Sequence, residues 1–204
     1  MSGLRERKKL ATREALMTAA LRLALERGLE NVRVEDIAAE VGVSPRTFNN
    51  YFSSKYEAIA ARHTDRTRIA VAALRARPEG EPLWEALTEA MAAPWEQHGG
   101  TGVAPSPELL ASITMLTEEP ALRAESLKVA FAADGELAEA IAARTGTDAA
   151  RDLYPYLVAV TVTAAVQAAV GHWLRSDPPV PLAPLVRDAL RALAEGLPAP
   201  STDA

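Results

Sequence analysis

The segment 41–55 concentrates side chains that can bind the base edges and the phosphates of DNA. An asparagine amide can pair with adenine, a threonine methyl can contact the methyl group of thymine, and arginine, tyrosine or lysine can hold guanine or phosphate. Phe48 and Phe52 lie four residues apart, so a helix places both rings on its inner face. The polar residues left facing outward or flanking this helix are Ser44, Arg46, Thr47, Asn49, Asn50, Tyr51 and Lys55.

Two short predicted helices position these side chains. The first spans about 34–41, because its apolar residues recur at helical spacing. Gly42 and Val43 then form a tight turn, Ser44 is the expected N-cap, and Pro45 occupies the first helical position, where no donor is lost. The second helix is expected to end at Ser53. Two short helices joined by a glycine turn predict a helix-turn-helix.

Helical patterns cover the rest of the chain as well. A helix over 4–27 precedes this motif and one over 54–75 follows it; later helices are expected at 83–97, 107–118, 121–144, 148–175 and 182–195. No alternating, β-branched run indicates a sheet. The sequence therefore predicts an all-α protein, with an N-terminal three-helix DNA-binding domain at 1–56 and a C-terminal helical bundle at 57–204.

The charge of the chain is unevenly distributed. Its 204 residues have a net charge of −5, yet residues 1–68 carry 13 Lys and Arg against 9 Asp and Glu, and the remainder carries 9 against 18. The basic end is therefore the one that can meet an anion. The chain has no cysteine, which excludes disulfides, a thiolate nucleophile and a Cys-ligated zinc. A cytoplasmic location and no cofactor are expected.

Several other functional classes are disfavoured by what the sequence lacks. The three histidines, His63, His98 and His172, are far apart, and metal sites need more clustered ligands. No G-x-S-x-G nucleophile elbow and no Gly-rich phosphate loop is present. The uncharged run 153–174 is long enough to cross a bilayer, but it is rich in alanine and contains proline, threonine, glutamine and histidine. We expect no membrane association.

Residues 12–59 resemble the DNA-binding domain of the tetracycline-repressor (TetR) family. The resemblance rests on five ordered motifs with the family's spacing: Ala19-Ala20-Leu21-Arg22-Leu23, Glu26-Arg27-Gly28, Asp36-Ile37-Ala38, Val41-Gly42-Val43-Ser44 and Tyr51-Phe52-x-x-Lys55. It implies a homodimeric, ligand-responsive transcriptional regulator, usually a repressor, that is not an enzyme and binds a palindromic operator in double-stranded DNA.

The resemblance also assigns roles to individual residues. It places base and phosphate contacts at Ser44, Arg46, Thr47, Asn49, Asn50 and Tyr51, and a phosphate contact at Lys55. Two positions depart from the family. Arg33 stands where a capping threonine is common, and it is expected to keep a phosphate contact through its charge. Asn49 stands where an aromatic residue is frequent, so the family's operator sequences do not transfer.

The C-terminal region resembles ligand domains that bind acyl-CoA-like or other lipophilic molecules. Large side chains are few in this alanine-rich domain, so some of them are expected to line a pocket and the others to form ordinary core. The candidate ligand-binding residues are Trp84, Met91, Trp95, Met115, Phe131, Tyr154 and Trp173.

Two apolar helices are candidates for a dimer interface. They are the 153–174 helix and the last helix, with Val186, Leu190, Leu193 and Leu197; a purely intramolecular core is the alternative. Two other functions also stay open at this stage. A small helical enzyme would need convergent titratable groups, and an architectural DNA-binding protein without an effector would bind DNA with little sequence preference.

Overall fold

The structure, a computed structural model, describes residues 2–98 and 105–199 and is all helical over these ranges. A long first helix and two short ones form the start of the chain: α1 (Ser2–Arg27), α2 (Val34–Val41) and α3 (Pro45–Asn49). A 3-10 turn at Leu29–Asn31 links α1 to α2. The later helices are α4 (Lys55–Ala76), α5 (Leu83–His98), α6 (Pro107–Glu118), α7 (Pro120–Thr145), α8 (Leu153–Trp173) and α9 (Leu182–Ala194). The predicted all-α fold is thus confirmed.

By its internal contacts the chain divides into two compact units. The N-terminal unit consists of Met1–Thr64 and Ala111–Val129, and the C-terminal unit consists of Asp65–Leu110 and Ala130–Ala204. Three helices, α4, α6 and α7, therefore each contribute residues to both units. The domain boundary expected after residue 56 stays a prediction.

The core of the N-terminal unit forms where α1, α2 and α3 bury their apolar faces. Leu16 and Leu23 of α1 and Ile37 of α2 are almost fully buried, together with Phe48 of α3. Leu116 and Leu122, from the segment between 111 and 129, join the same cluster. The helix-turn-helix thus shares its core with residues that are distant in sequence.

The core of the C-terminal unit is built by α5, α7, α8 and α9 together with the second half of α4. Leu87, Leu137, Ile141 and Val162 are fully buried. Val186 and Leu190 of α9 are also fully buried in this cluster. These two residues belong to the intramolecular core, so the prediction that they contribute to a dimer interface is wrong.

Two helices are shorter than the sequence pattern predicts. The second helix of the motif ends at Asn49, and Tyr51 N–H and Phe52 N–H both donate to the Phe48 carbonyl in a turn. The helix expected from 148 begins at Leu153 instead. Before it, the Asp148 carboxylate accepts from Ala150 N–H at 2.8 Å, which offers the backbone a turn in place of a helix.

Helix α8 has the length and apolar composition that could cross a membrane. Core helices of soluble proteins share these properties, and α8 packs against α9 within the C-terminal unit. Only 33% of the most apolar stretch of this helix is buried, however. A large part of the apolar surface of α8 is therefore not covered by the residues that the structure describes.

Candidate nucleic-acid interface

The turn between α2 and α3 depends on the backbone of one glycine. Gly42 ends α2 in the left-handed conformation, with φ 71° and ψ 31°. Its neighbour Val43 donates its N–H to the Ala38 carbonyl at 2.9 Å, which closes the end of the helix. A side chain at position 42 would strain this turn, so the glycine fixes the direction in which α3 departs.

Ser44 caps α3 as its sequence position predicts. Its Oγ accepts from Thr47 N–H at 3.1 Å and lies 2.9 Å from Thr47 Oγ1. Pro45 occupies the first helical position. The two hydroxyl groups thus bond to each other at the start of α3, and Thr47 itself is only half-exposed. We infer that Ser44 and Thr47 stabilise the start of α3 in addition to the DNA contacts predicted for them.

Burial separates the two faces of α3 and the turn that follows it. Phe48 and Phe52 are 0% and 2% exposed, and their ring centres lie 5.7 Å apart. Arg46, Asn49 and Asn50 are exposed, and no hydrogen bond or ion pair of their side chains occurs within the described residues. Three polar side chains are therefore presented to the solvent on a helix that two buried rings hold in place.

Arg33 and Tyr51 flank this exposed face. Arg33 is the N-cap of α2, where its backbone N–H donates to Asp36 Oδ2 at 2.9 Å. Its side chain is exposed. Tyr51 is half-buried beside the core of the N-terminal unit. The guanidinium of Arg33 can thus reach an anion, as its charge predicts.

Lys55 has a different environment from the one expected for a phosphate ligand. Its Nζ donates to the carbonyls of Leu29 at 2.6 Å and Val32 at 2.8 Å. An ammonium group has three donors, so one remains after these two bonds. The phosphate contact predicted for Lys55 therefore has to compete with two hydrogen bonds inside the protein.

The start of α4 contains a polar cluster in which Ser54 is the N-cap expected from the sequence, while the role of Glu57 was missed. Ser54 Oγ accepts from Glu57 N–H at 3.0 Å, and the N–H and hydroxyl of Ser53 both donate to Glu57 Oε2, at 2.7 and 2.6 Å. Burial of the Glu57 carboxyl opposes its ionisation, but the Ser53 bonds and the nearby cations Lys128 and Arg13 together hold its pKa below the ordinary value of 4.5. The spacing of Ser53 and Glu57, four residues apart in the sequence, was the signal that could have indicated these hydrogen bonds.

Substitution of Glu57 by glutamine is expected to weaken the N-terminal unit at neutral pH by about 1 kcal/mol, because a charged acceptor of two bonds is lost. Since the folded pKa is depressed, the stabilisation by Glu57 is present above pH 4.5 and is lost as the pH falls through the folded value. Thermal melts of both proteins between pH 7 and pH 3 should therefore converge in acid. A constant difference in melting temperature across this range would contradict the assignment.

The candidate ligand residues are not gathered at one site. A cavity of about 330 Å³ opens in the C-terminal unit, and among the predicted residues whose side chains are described only Trp84 lines it. Its other walls are mainly charged, with Arg77, Glu81, Glu85, Thr88, Glu89, Arg191, Ala194 and Glu195. This charged groove differs from the apolar pocket expected for a lipophilic ligand.

The remaining candidate ligand residues have diverse environments. Met91 is buried in the core, Trp95 stacks under the Arg66 guanidinium at 4.1 Å, and Trp173 Nε1 donates to the Val180 carbonyl at 2.8 Å. Met115 is 75% and Tyr154 45% exposed. The side chain of Phe131 lies outside the described residues. A role in ligand binding stays a prediction for all of them.

Ion pairs between α5 and α9 were also missed by sequence reasoning. Arg187 donates two hydrogen bonds to Glu89 Oε2 and one to Oε1, at 3.0 to 3.2 Å, and a further one to Glu96 Oε1. The hydrogen bonds from Arg187 lower the pKa of Glu89 despite its partial burial. Almost a hundred residues separate the partners, so no local pattern could indicate this pair. Within the described residues, no cluster of His, Asp or Glu has the arrangement of a metal site.

Two family models match the chain, and together they cover most of it. The model for bacterial regulatory proteins of the tetR family matches residues 16–61, which include α2, α3 and the start of α4. The model for the MftR C-terminal domain matches residues 81–198. The second match alone spans more than half of the chain.

Comparison with individual proteins gives the same result. The chain is 35% identical over 182 residues to the HTH-type transcriptional regulator TcmR of Streptomyces glaucescens, covering 86% of this chain and 79% of TcmR. The fold is similar to that of a TetR-family regulator from Syntrophomonas wolfei, with TM-score 0.61, 18% identity and coverage of 95% and 100%. It is also similar to Thermus thermophilus FadR bound to lauroyl-CoA, with TM-score 0.50, 20% identity and coverage of 94% and 98%.

The motif geometry, the exposed polar face of α3 and these matches agree with the resemblance drawn from the sequence. The protein belongs to the TetR family of DNA-binding transcriptional regulators.

Proposed function

We propose that the protein is a homodimeric repressor that a small lipophilic effector, such as an acyl-CoA, releases from a palindromic operator. The observation that supports sequence-specific DNA binding is the separation of two faces on α3 and the turn that follows it. Two buried rings lie on the inner face, and the exposed residues Arg46, Asn49 and Asn50 lie on the outer face. Asparagine and arginine are suited to bidentate contacts with adenine and guanine. Arg33, Ser44, Thr47 and Tyr51 flank these groups and are proposed to contact phosphates and bases.

The direct test is a binding titration on the DNA upstream of the protein's own coding region. A scrambled fragment of equal length and two salt concentrations complete the design, because non-specific binding depends almost entirely on released counterions. We expect tight, sequence-selective binding by two protomers. Equal and strongly salt-dependent binding to both fragments would support a DNA-binding protein without sequence preference and would count against an operator in this region.

Alanine at Asn49 or Asn50 is expected to lower operator affinity about 5- to 150-fold for each half-site, which corresponds to about 1 to 3 kcal/mol for each lost bidentate base contact. Affinity for the scrambled fragment should change little, since an asparagine carries no charge. Arg75→Ala, which removes an exposed arginine of the C-terminal unit, is the matched control. If both asparagine variants kept full discrimination between the fragments, α3 would not read bases through these side chains.

We propose that α8 forms the dimer interface. Its exposed apolar residues include Leu153, Tyr154, Tyr156 and Leu157 near its start, and Ala164 and Ala168 further along. The small residues permit close approach of a second helix. TetR regulators usually act as dimers, and a two-fold dimer matches half-sites one helical turn of DNA apart, about 34 Å, or a multiple of that. This arrangement explains why a helix with so apolar a composition is only one-third buried in the single chain.

We place effector binding in the C-terminal unit. Thermus thermophilus FadR, which shares the fold, was solved with lauroyl-CoA, and this supports an acyl-CoA-like ligand as the first class to test. Because α4 and α7 each contribute to both units, a ligand that favours one arrangement of these helices can alter operator affinity. Typical coupling between two sites is about 1 to 3 kcal/mol. A ligand that binds tightly without changing operator affinity would not be the effector.

A regulator of this class works where its operator is, so we propose a cytoplasmic location. We also propose that the protein has no enzymatic activity. Tyr154 and His172, considered for an enzyme, lie near opposite ends of α8 and are both exposed, and the side chain of His98 lies outside the described residues.

A further inference from the structure

Lys55 begins α4 at the edge of the helix-turn-helix, and its ammonium group points into the protein. Nζ donates to the Leu29 carbonyl at 2.6 Å and to the Val32 carbonyl at 2.8 Å, and both bonds are partly buried. The same nitrogen lies 5.4 Å from the centre of the Tyr56 ring. Two of its three donors and one side of the cation are thus engaged within the N-terminal unit.

The two carbonyls belong to the segment that sets the start of α2. Leu29 opens the 3-10 turn after α1, and Val32 is its C-cap. Leu29 and Val32 are 6% and 1% exposed. Arg33, the next residue, is the N-cap of α2. The Lys55 ammonium therefore joins the first residue of α4 to the backbone immediately before α2, across 23 to 26 residues of sequence.

From this geometry we propose that Lys55 is a positioning residue of the helix-turn-helix rather than a phosphate ligand. It fixes the N-terminal end of α2 against α4, and α2 in turn carries the Gly42 turn and α3. Hydrogen bonds to an ionised donor are stronger and shorter than neutral ones, which suits a tie between two elements. Operator affinity then depends on Lys55 through the placement of α3, without an ion pair to DNA. This inference rests on the proposed operator binding.

The first test measures operator affinity as a function of salt for Lys55→Met, which keeps an apolar stem but removes all three donors. A lost phosphate contact flattens the logarithmic salt slope by about 0.9 for each half-site, and therefore by about 1.8 for a homodimer. We expect instead at least about a tenfold loss of operator affinity, the range of a displaced base contact, with the slope of the wild type and a lower ratio of operator to scrambled binding. Arg33→Gln, which removes an exposed cation proposed to contact a phosphate, calibrates the slope. A flattening of about two units in Lys55→Met would overturn the inference.

The second test needs no DNA, so it separates this inference from the proposed function. Amide hydrogen exchange of free Lys55→Met is expected to be faster in peptides covering 29–43 and unchanged in the C-terminal unit. Arg46→Ala, with an exposed cation in the same motif, should leave these peptides unchanged. Unaltered exchange at 29–43 in Lys55→Met would overturn the positioning role. A wild type that bound no operator would refute the proposed function, while this exchange result would still decide the role of Lys55.

A third measurement uses the unaltered protein and covers the case in which Lys55→Met is too unstable to assay. The nitrogen resonance of the Lys55 ammonium group is expected to be observable in the free protein, because hydrogen bonds to two carbonyls slow its proton exchange. It should keep its chemical shift when operator DNA is added. Loss of the signal in the free protein, or a shift on DNA binding comparable to that of a phosphate-bound lysine, would overturn the inference.

Discussion

Replacement of Phe48 by alanine is expected to lower the free energy of unfolding of the N-terminal unit by about 3 to 5 kcal/mol, the usual cost of emptying a buried aromatic site. Phe48 is fully buried, lies against Phe52, and is the largest of the fully buried side chains. Since small domains are stable by only about 5 to 15 kcal/mol, such a loss removes a large part of the stability of the motif. Operator binding should disappear at temperatures where the wild type still binds.

Chemical denaturation monitored by circular dichroism checks this expectation. Phe48→Leu is the matched control, because leucine leaves a much smaller cavity than alanine and should therefore cost much less stability. The leucine variant should therefore retain operator binding at 25 °C. If Phe48→Ala were destabilised by less than about 1 kcal/mol, a value typical of an average substitution, the ring would not be the support of α3 that its burial indicates.

Introduction of a glutamate at Leu157 is expected to convert the proposed dimer into a monomer. Leu157 is 50% exposed in the single chain and lies in the apolar face of α8 beside Leu153 and Tyr156. A two-fold interface would place two unpaired carboxylates in an apolar contact, which is costly. The second half-site would then be lost, and operator affinity should fall by roughly 10²- to 10⁴-fold, the range in which linked binding exceeds single-site binding.

Analytical ultracentrifugation and an operator titration check the two parts of this prediction. Leu127→Glu is a matched control, since Leu127 is also an exposed leucine, at 55%, but belongs to the N-terminal unit. It should leave the dimer intact. The chain fold of Leu157→Glu should also persist, because the substituted side chain is half-exposed before association. A Leu157→Glu protein that remained dimeric at micromolar concentration would place the interface elsewhere.

Local sequence patterns determined the helix-turn-helix. Apolar spacing set α2 at Val34–Val41, Gly42 set the turn, and Ser44 with Pro45 set the start of α3. These signals act within a few residues, through backbone conformation and capping, so they hold before any tertiary contact forms. The same reasoning overestimated α3 and α8. At Asp148 a side chain competes for backbone hydrogen bonds, and propensity alone does not reveal which partner prevails.

Only the tertiary structure decided which groups are free to bind a partner. The family resemblance predicts a phosphate contact for Lys55, and the structure shows its ammonium group donating to the carbonyls of residues 29 and 32. The apolar spacing made Val186 and Leu190 candidates for a dimer interface, with an intramolecular core as the alternative, and both are enclosed in the core. Apolar spacing gives the inner face of a helix, but the neighbour on that face can come from the same chain or from another. Long-range packing makes that choice, and local sequence does not encode it.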